Sequence, residues 1–200
     1  MAEKRSRHRT DDDRRRFLMR TAQLGLAAGA AAIVRPGPSL ARVVLKMEPF
    51  ALSSAAFQNG QAIPKRHSCD GADASPPLSW LNGPGTALSF ALVCYDPDAP
   101  GHTFYHWGIF DLTPGRQLKE GFPIGATAEG ARQALNDFGV EGYKGPCPPQ
   151  GHGVHHYHFE VYALKVANLD LPDRVRCDAL LTAARDQELA RAELVGLYSR

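Results

Sequence analysis

The chain has 200 residues, of which 22% are charged and 44% hydrophobic, with 19 Gly and 15 Pro. These proportions fit one globular domain with or without a tail, and they exclude a fully disordered or collagen-like chain. The net charge of +2 averages two unlike pieces: residues 1–41 carry nine Lys and Arg against four acids, and residues 42–200 carry 14 against 17. A mildly acidic domain argues against nucleic acid as the partner, because a phosphate backbone demands clustered Lys and Arg.

The basic piece reads as an export leader. Arg14-Arg15-Arg16-Phe17-Leu18 opens it, and residues 21–34 form an uncharged run of mainly Ala, Gly and Leu. Arg35-Pro36-Gly37-Pro38 then breaks any helix, and Ser39-Leu40-Ala41 offers small residues two apart. A charged start, an apolar run and a small-x-small site make a secretory signal. The run of 14 residues is shorter than the about 20 needed to span a bilayer. Arg14, Arg15, Phe17 and Leu18 resemble the bacterial twin-arginine signal, with Asp13 where Ser or Thr is usual and Met19 where Lys is common. The expectation is cleavage after Ala41, a mature domain over residues 42–200 with no integral membrane span, and a periplasmic destination.

Strands are expected where short apolar or alternating runs lie between turn signals. Residues 50–57 are a weak case, and residues 87–95 (ALSFALVCY) are apolar on both faces. Residues 106–112 follow. In residues 157–164, Tyr157, Phe159, Val161 and Ala163 share one face. Pro- and Gly-dense connections separate them. Helical pattern comes late, predicting two short helices over 178–185 and 188–197. Early strands and late helices predict a β-rich domain with helices at one end.

Three clusters hold the unusual polar residues, each at a strand end or in a loop, where binding residues concentrate. The first runs Cys69-Asp70-Gly71 to Ser75-Pro76-Pro77-Leu78-Ser79-Trp80. The second is Asp96-Pro97-Asp98-Ala99-Pro100 with His106-Trp107 downstream, and the third runs from Gly145 through Cys147-Pro148-Pro149 and His152 to His155-His156-Tyr157. Together, in this order and at this spacing, they resemble the phosphatidylethanolamine-binding protein family, also called Raf kinase inhibitor-like proteins. The first cluster looks like the family's bacterial branch. The resemblance covers roughly Pro49 to Tyr198 and implies a mainly β, antiparallel β-sandwich with a small anion pocket at one end. It places Asp96, His106, the Cys147-Pro148 segment, His155 and Tyr157 in that pocket, with Asp98 supporting the loop. His156 departs from the pattern, standing where the family commonly has Arg.

The residue set makes chemical sense by itself. Imidazole N–H groups and a tyrosine hydroxyl can hold a phosphate or carboxylate. Asp96 and Asp98 can orient a histidine or face an ammonium group, so a zwitterionic, phosphoethanolamine-type ligand suits the set better than a bare anion. No cofactor and no metal are expected. His156 and His158 share a strand face, but no third ligand is placed beside them. No nucleophile elbow, P-loop or dinucleotide-binding glycine motif is present, so a non-enzymatic binder is expected. The alternatives are an envelope interaction protein that inhibits a hydrolase, protease or kinase, and a hydrolase using His106 and Asp96. Four cysteines allow three pairings in an oxidising compartment. The resemblance puts Cys69 and Cys147 in pocket loops, which permits a bridge between them.

Overall fold

The computed structural model describes residues 48–115, 117–125 and 130–200. The leader, its cleavage site and the boundary at residue 41 lie outside the described residues.

Among the described residues there are eight strands and one α-helix: β1 (Ala51–Ser54), β2 (Gln61–Ala62), β3 (Leu78–Leu81), β4 (Ser89–Asp96), β5 (Phe104–Leu112), β6 (Arg132–Gln133), β7 (His155–Leu164), α1 (Cys177–Asp186) and β8 (Glu188–Tyr198). A short 3-10 turn covers Lys65–His67. The main sheet has the order β2-β8-β7-β4-β5-β6, and β1 pairs with β3 in a separate two-stranded sheet. Every named pair is antiparallel except β2 with β8.

Strand β4 lies in the middle of the large sheet, and both of its faces are covered. Phe90, Leu92 and Cys94 join one core, with Trp107, Ile109, Tyr157, Phe159 and Val161 from the neighbouring strands. Leu52, Leu78 and Trp80 of the small sheet pack into the same core, so two sheets face one another as expected. Ala91 and Val93 face the other way, toward Phe110, Tyr162 and Leu164. Helix α1 covers that side with Cys177, Leu180, Leu181 and Ala184, the i, i+3, i+4, i+7 stripe of an amphipathic helix. The continuous apolar reading of residues 87–95 therefore has a cause: neither face of β4 meets water. Gly108 sets how closely α1 approaches β5. A β-carbon there would stand 2.8 Å from Leu180 Cδ2 and 2.9 Å from Cys177 Sγ.

The expectation of two C-terminal helices needs correction. Residues 178–185 are helical within α1, but residues 188–197 lie in β8, the longest strand. Ala, Leu and Glu give this segment moderate helix propensity. A ladder to β7 from Tyr198 opposite His155 to Glu188 opposite Leu164 overrides it. The buried positions of β8, Ala192, Leu194 and Tyr198, alternate at the strand period. Strands β2, β3, β6 and β8 were not expected from the sequence. Strands β1, β4, β5 and β7 lie where strands were expected, with ends shifted by a few residues. Among the described residues, no helix is long and apolar enough to cross a membrane.

Candidate functional site

The C-terminal end of β4, the start of β5, the start of β7 and the loop before β7 meet at one end of the large sheet. Asp96 ends β4. Its Oδ1 accepts the Asp98 N–H at 2.9 Å, an Asx-type turn that Pro97 stiffens. Its Oδ2 accepts from His155 Nδ1 at 2.7 Å, and both side chains are almost fully buried.

His106 reaches this end through a β-bulge. Trp107 pairs with Cys94 and Tyr105 pairs with Tyr95, so His106 is the extra residue of β5. Its Nδ1 donates to the Lys144 carbonyl at 2.7 Å, and the Lys144 N–H returns to the His106 carbonyl at 3.0 Å. Burial holds the His106 pKa below the ordinary imidazole value, with the nearby carbonyls and Asp96 opposing that shift. With Nδ1–H committed to Lys144, the neutral ring has only Nε2 left to offer, as an acceptor.

Tyr157 is fully buried between two imidazoles. The His106 ring meets it edge-on at 5.2 Å, and the His155 ring lies roughly parallel at 6.5 Å. Its hydroxyl makes no hydrogen bond among the described residues. Burial pushes its pKa well up, and the charge of Asp96 nearby adds to the shift.

The loop before β7 is tied down from several sides. Cys147 is disulfide-bonded to Cys69, with Cα atoms 5.4 Å apart. The Gly145 N–H and the Lys144 ammonium both reach Asp73, each at 2.7 Å. Gly145 passes so close to His67 that a β-carbon would stand 2.2 Å from the His67 carbonyl oxygen, which requires glycine there. Arg200 pairs with Asp70 at 3.0 Å, its side chain approaches Cys147 Sγ at 3.4 Å, and its carbonyl accepts the Gly151 N–H at 3.0 Å. The other two cysteines, Cys94 and Cys177, are free, buried thiols whose pKa values burial raises.

These elements enclose a cavity of about 340 Å³. Six residues named from the sequence line it: Asp96, His106, Cys147, Pro148, His155 and Tyr157. Asp98 does not. Its carboxylate turns outward, where Oδ2 accepts the His156 N–H at 2.8 Å and contacts His156 Nδ1 at 2.7 Å. Those bonds hold the Asp98 carboxyl below its usual pKa. They also staple the β4–β5 turn to β7, so Asp98, expected among the ligand-binding residues as well as in loop support, stands outside the cavity. His156 and His158 do not converge on one point, because His158 pairs with Glu193 instead. Among the described residues, no group of three or more His, Cys, Asp or Glu side chains gathers as a metal centre.

The sequence reading missed Phe104 and Phe138 in the cavity wall, which pack edge to face at 4.9 Å. Phe104 stands two residues before His106 in the same strand. Phe138 comes from a loop 32 residues after His106, and no local pattern marks it. His152 was not among the expected pocket residues either, yet its Nδ1 lies 2.7 Å from His155 Nε2. A second cavity of about 290 Å³ holds Arg132, Glu141, Asp173 and Arg174. Its charges already pair with one another, Arg132 with Asp173 and Arg174 with Glu141.

Among the described residues, no Lys or Arg lines the first cavity. Its polar groups are a carboxylate, imidazoles and one unspent phenol, set in a wall of Pro and Phe. That is a concave, mostly apolar site with a few convergent polar atoms, the usual form of a small-molecule pocket.

Known proteins resemble this chain in sequence and fold. The phosphatidylethanolamine-binding protein profile matches residues 53–199. A protein of Aquifex aeolicus named only UPF0098 protein is 45% identical over 155 residues, 77% of this chain and 89% of its own. A UPF0098 protein of Methanothermobacter thermautotrophicus is 45% identical over 151 residues, 74% of this chain and 98% of its own. LppC of Mycobacterium tuberculosis, named as a candidate lipoprotein, is 39% identical over 151 residues, 76% of this chain and 73% of its own. Among solved structures, Escherichia coli YbcL superimposes with a TM-score of 0.73 at 30% identity, over 76% of this chain and 99% of that one. YbcL is described as a member of the mammalian PEBP family. With nearly all of the described domain inside the family profile, the chain belongs to the phosphatidylethanolamine-binding protein family.

Proposed function

We propose that this protein binds a small zwitterionic phosphate compound of the phosphoethanolamine type, without turning it over. The observation that carries the reading is the buried Asp96–His155 pair beside the unpartnered, buried Tyr157 hydroxyl, in a cavity walled by Pro and Phe. A buried hydroxyl with no partner costs free energy that a ligand oxygen recovers. Asp96 gives an ammonium group a counter-charge, while the Tyr157 hydroxyl donates to a phosphate oxygen and an imidazole does so once its Nε2 is protonated. Among the described residues the cavity wall contains no Ser or Thr, and the Cys147 sulfur is spent in the disulfide, which favours binding over covalent chemistry. We further propose that the protein is exported through its twin-arginine-like leader and acts in the cell envelope. The candidate lipoprotein among its relatives is in keeping with that.

The test is calorimetric titration of the full chain with phosphoethanolamine, with inorganic phosphate and ethanolamine in parallel and a His155→Ala variant as control. Saturable binding that the variant loses, with the phosphoethanolamine recovered unchanged, is the expected result. Equal affinity for inorganic phosphate removes the ammonium half of the reading. No binding of any of the three by the folded protein removes all of it.

A further inference from the structure

We propose that His152 is an internal competitor for this pocket: its imidazole occupies the His155 nitrogen that an anionic ligand needs, so capture displaces it and takes up a proton. This rests on the binding reading above and goes beyond it, by assigning a role in ligand capture to a residue that was not among the expected pocket residues.

The Asp96 carboxylate accepts from His155 Nδ1 at 2.7 Å, so that nitrogen carries a proton. A neutral His155 then has only a lone pair at Nε2. His152 Nδ1 stands 2.7 Å from that Nε2, a distance two ring nitrogens adopt only with a proton between them. With His155 neutral, His152 donates, and His155 has no N–H left for the cavity. An anionic oxygen brought to the same point meets a lone pair, and His152 already sits there. For His155 to hold that oxygen, the His152 ring has to turn away and Nε2 has to gain a proton. The Nδ1–H bond to Asp96 survives this step, so the new imidazolium keeps a charged partner.

The surroundings allow the exchange. His152 is exposed and lies between Gly151 and Gly153, both at positive φ. Its backbone is held by the bonds from the Gly151 N–H to Arg200 and from the His152 N–H to Pro149. Rotation of the side chain alone therefore frees His155. The groups facing His155 are Asp96 on β4, His152 in the loop, Tyr157 on β7 and Tyr198 opposite it on β8. Asp98 lies within electrostatic reach and is bonded to His156, while Arg200 is turned to Asp70 and Cys147. The charged partners in reach are thus carboxylates, which tolerate a proton arriving at His155.

The experiment titrates the full-length wild type, His152→Ala and His152→Gln with phosphoethanolamine at neutral pH, in two buffers of different ionisation enthalpy. His152 is exposed, so neither substitution threatens the fold. His152→Ala is expected to bind about two- to tenfold more tightly, the effect of removing one competing hydrogen bond. His152→Gln, whose amide can still donate to Nε2, stays near wild type. The buffer dependence of the heat is expected to report uptake of about one proton per ligand. Imidazole nitrogen NMR of His155 should show both nitrogens protonated at saturation. Equal or weaker binding by His152→Ala overturns the inference and leaves the binding reading intact, as does a His155 that stays neutral when saturated. Absence of binding by all three proteins overturns both.

Discussion

Reduction of the Cys69–Cys147 bridge is the perturbation whose magnitude the structure fixes best. The bridge spans a sequence separation of 78, and the closed loop contains β3, β4, β5 and β6. Opening a loop of that size returns conformational freedom to the unfolded chain. The chain-entropy relation puts the loss of stability at about 4.5 kcal/mol near room temperature. A domain of this size moves its melting temperature by roughly 2–4 °C per kcal/mol, so the reduced protein should melt about 9–18 °C lower. Scanning calorimetry of the full chain with and without a dithiol reductant measures this, with a Cys69→Ser/Cys147→Ser double variant as the chemically clean counterpart. The folded core should survive in both, because the bridge lies at the site end of the sheet and not between its two cores. The pocket should not survive unchanged: Cys147 lines it and Cys69 tethers that loop. If the oxidised and reduced proteins melt within about 2 °C of each other, the loop-closure reasoning is wrong for this domain.

Other outcomes follow from the same residues. Tyr157→Phe removes a buried hydroxyl that has no hydrogen bond and keeps the ring packed between His106 and His155. It should raise stability by about 1 kcal/mol while weakening phosphoethanolamine binding. A Phe variant that melts several degrees below wild type would show that the hydroxyl is satisfied after all. His106 has a pKa lowered by burial, so below its unfolded value of about 6.5 the unfolded chain binds the proton more readily. Stability should be constant with respect to this group above that pH, fall as the pH drops below it, and level off beneath the folded pKa. Melting curves between neutral and mildly acidic pH measure the slope, which His106→Gln should flatten. An unchanged slope in that variant would assign the acid sensitivity elsewhere.

Much of this protein is legible residue by residue. Strand β4 reads as apolar on both faces, and β7 as two alternating faces. Those patterns come from burial, which local composition records faithfully when a strand is covered on one or both sides. The pocket residues were legible for another reason: Asp96, His106, Pro148, His155 and Tyr157 sit in short, chemically unusual runs bounded by Pro and Gly, whose spacing resembles a known family. The leader expected from residues 1–41 rests on the same class of local signal and lies outside the described residues.

What the tertiary structure alone decided depends on partners far away in the chain. Residues 188–197 favour helix by composition, and only the ladder to β7 makes them a strand. The bulge that turns His106 toward the cavity exists only in the register between β4 and β5. Four cysteines leave three pairings open until the Cys69 and Cys147 loops are brought 5.4 Å apart. Asp98 leaves the pocket because its carboxylate finds His156 on another strand. Phe138 enters it from a distant loop, and His152 spends the outer nitrogen of His155. Local sequence records which groups are present and which faces are covered. Hydrogen-bond partners and ring contacts are set by long-range closure, and that closure determines which nitrogen, oxygen or ring reaches the cavity.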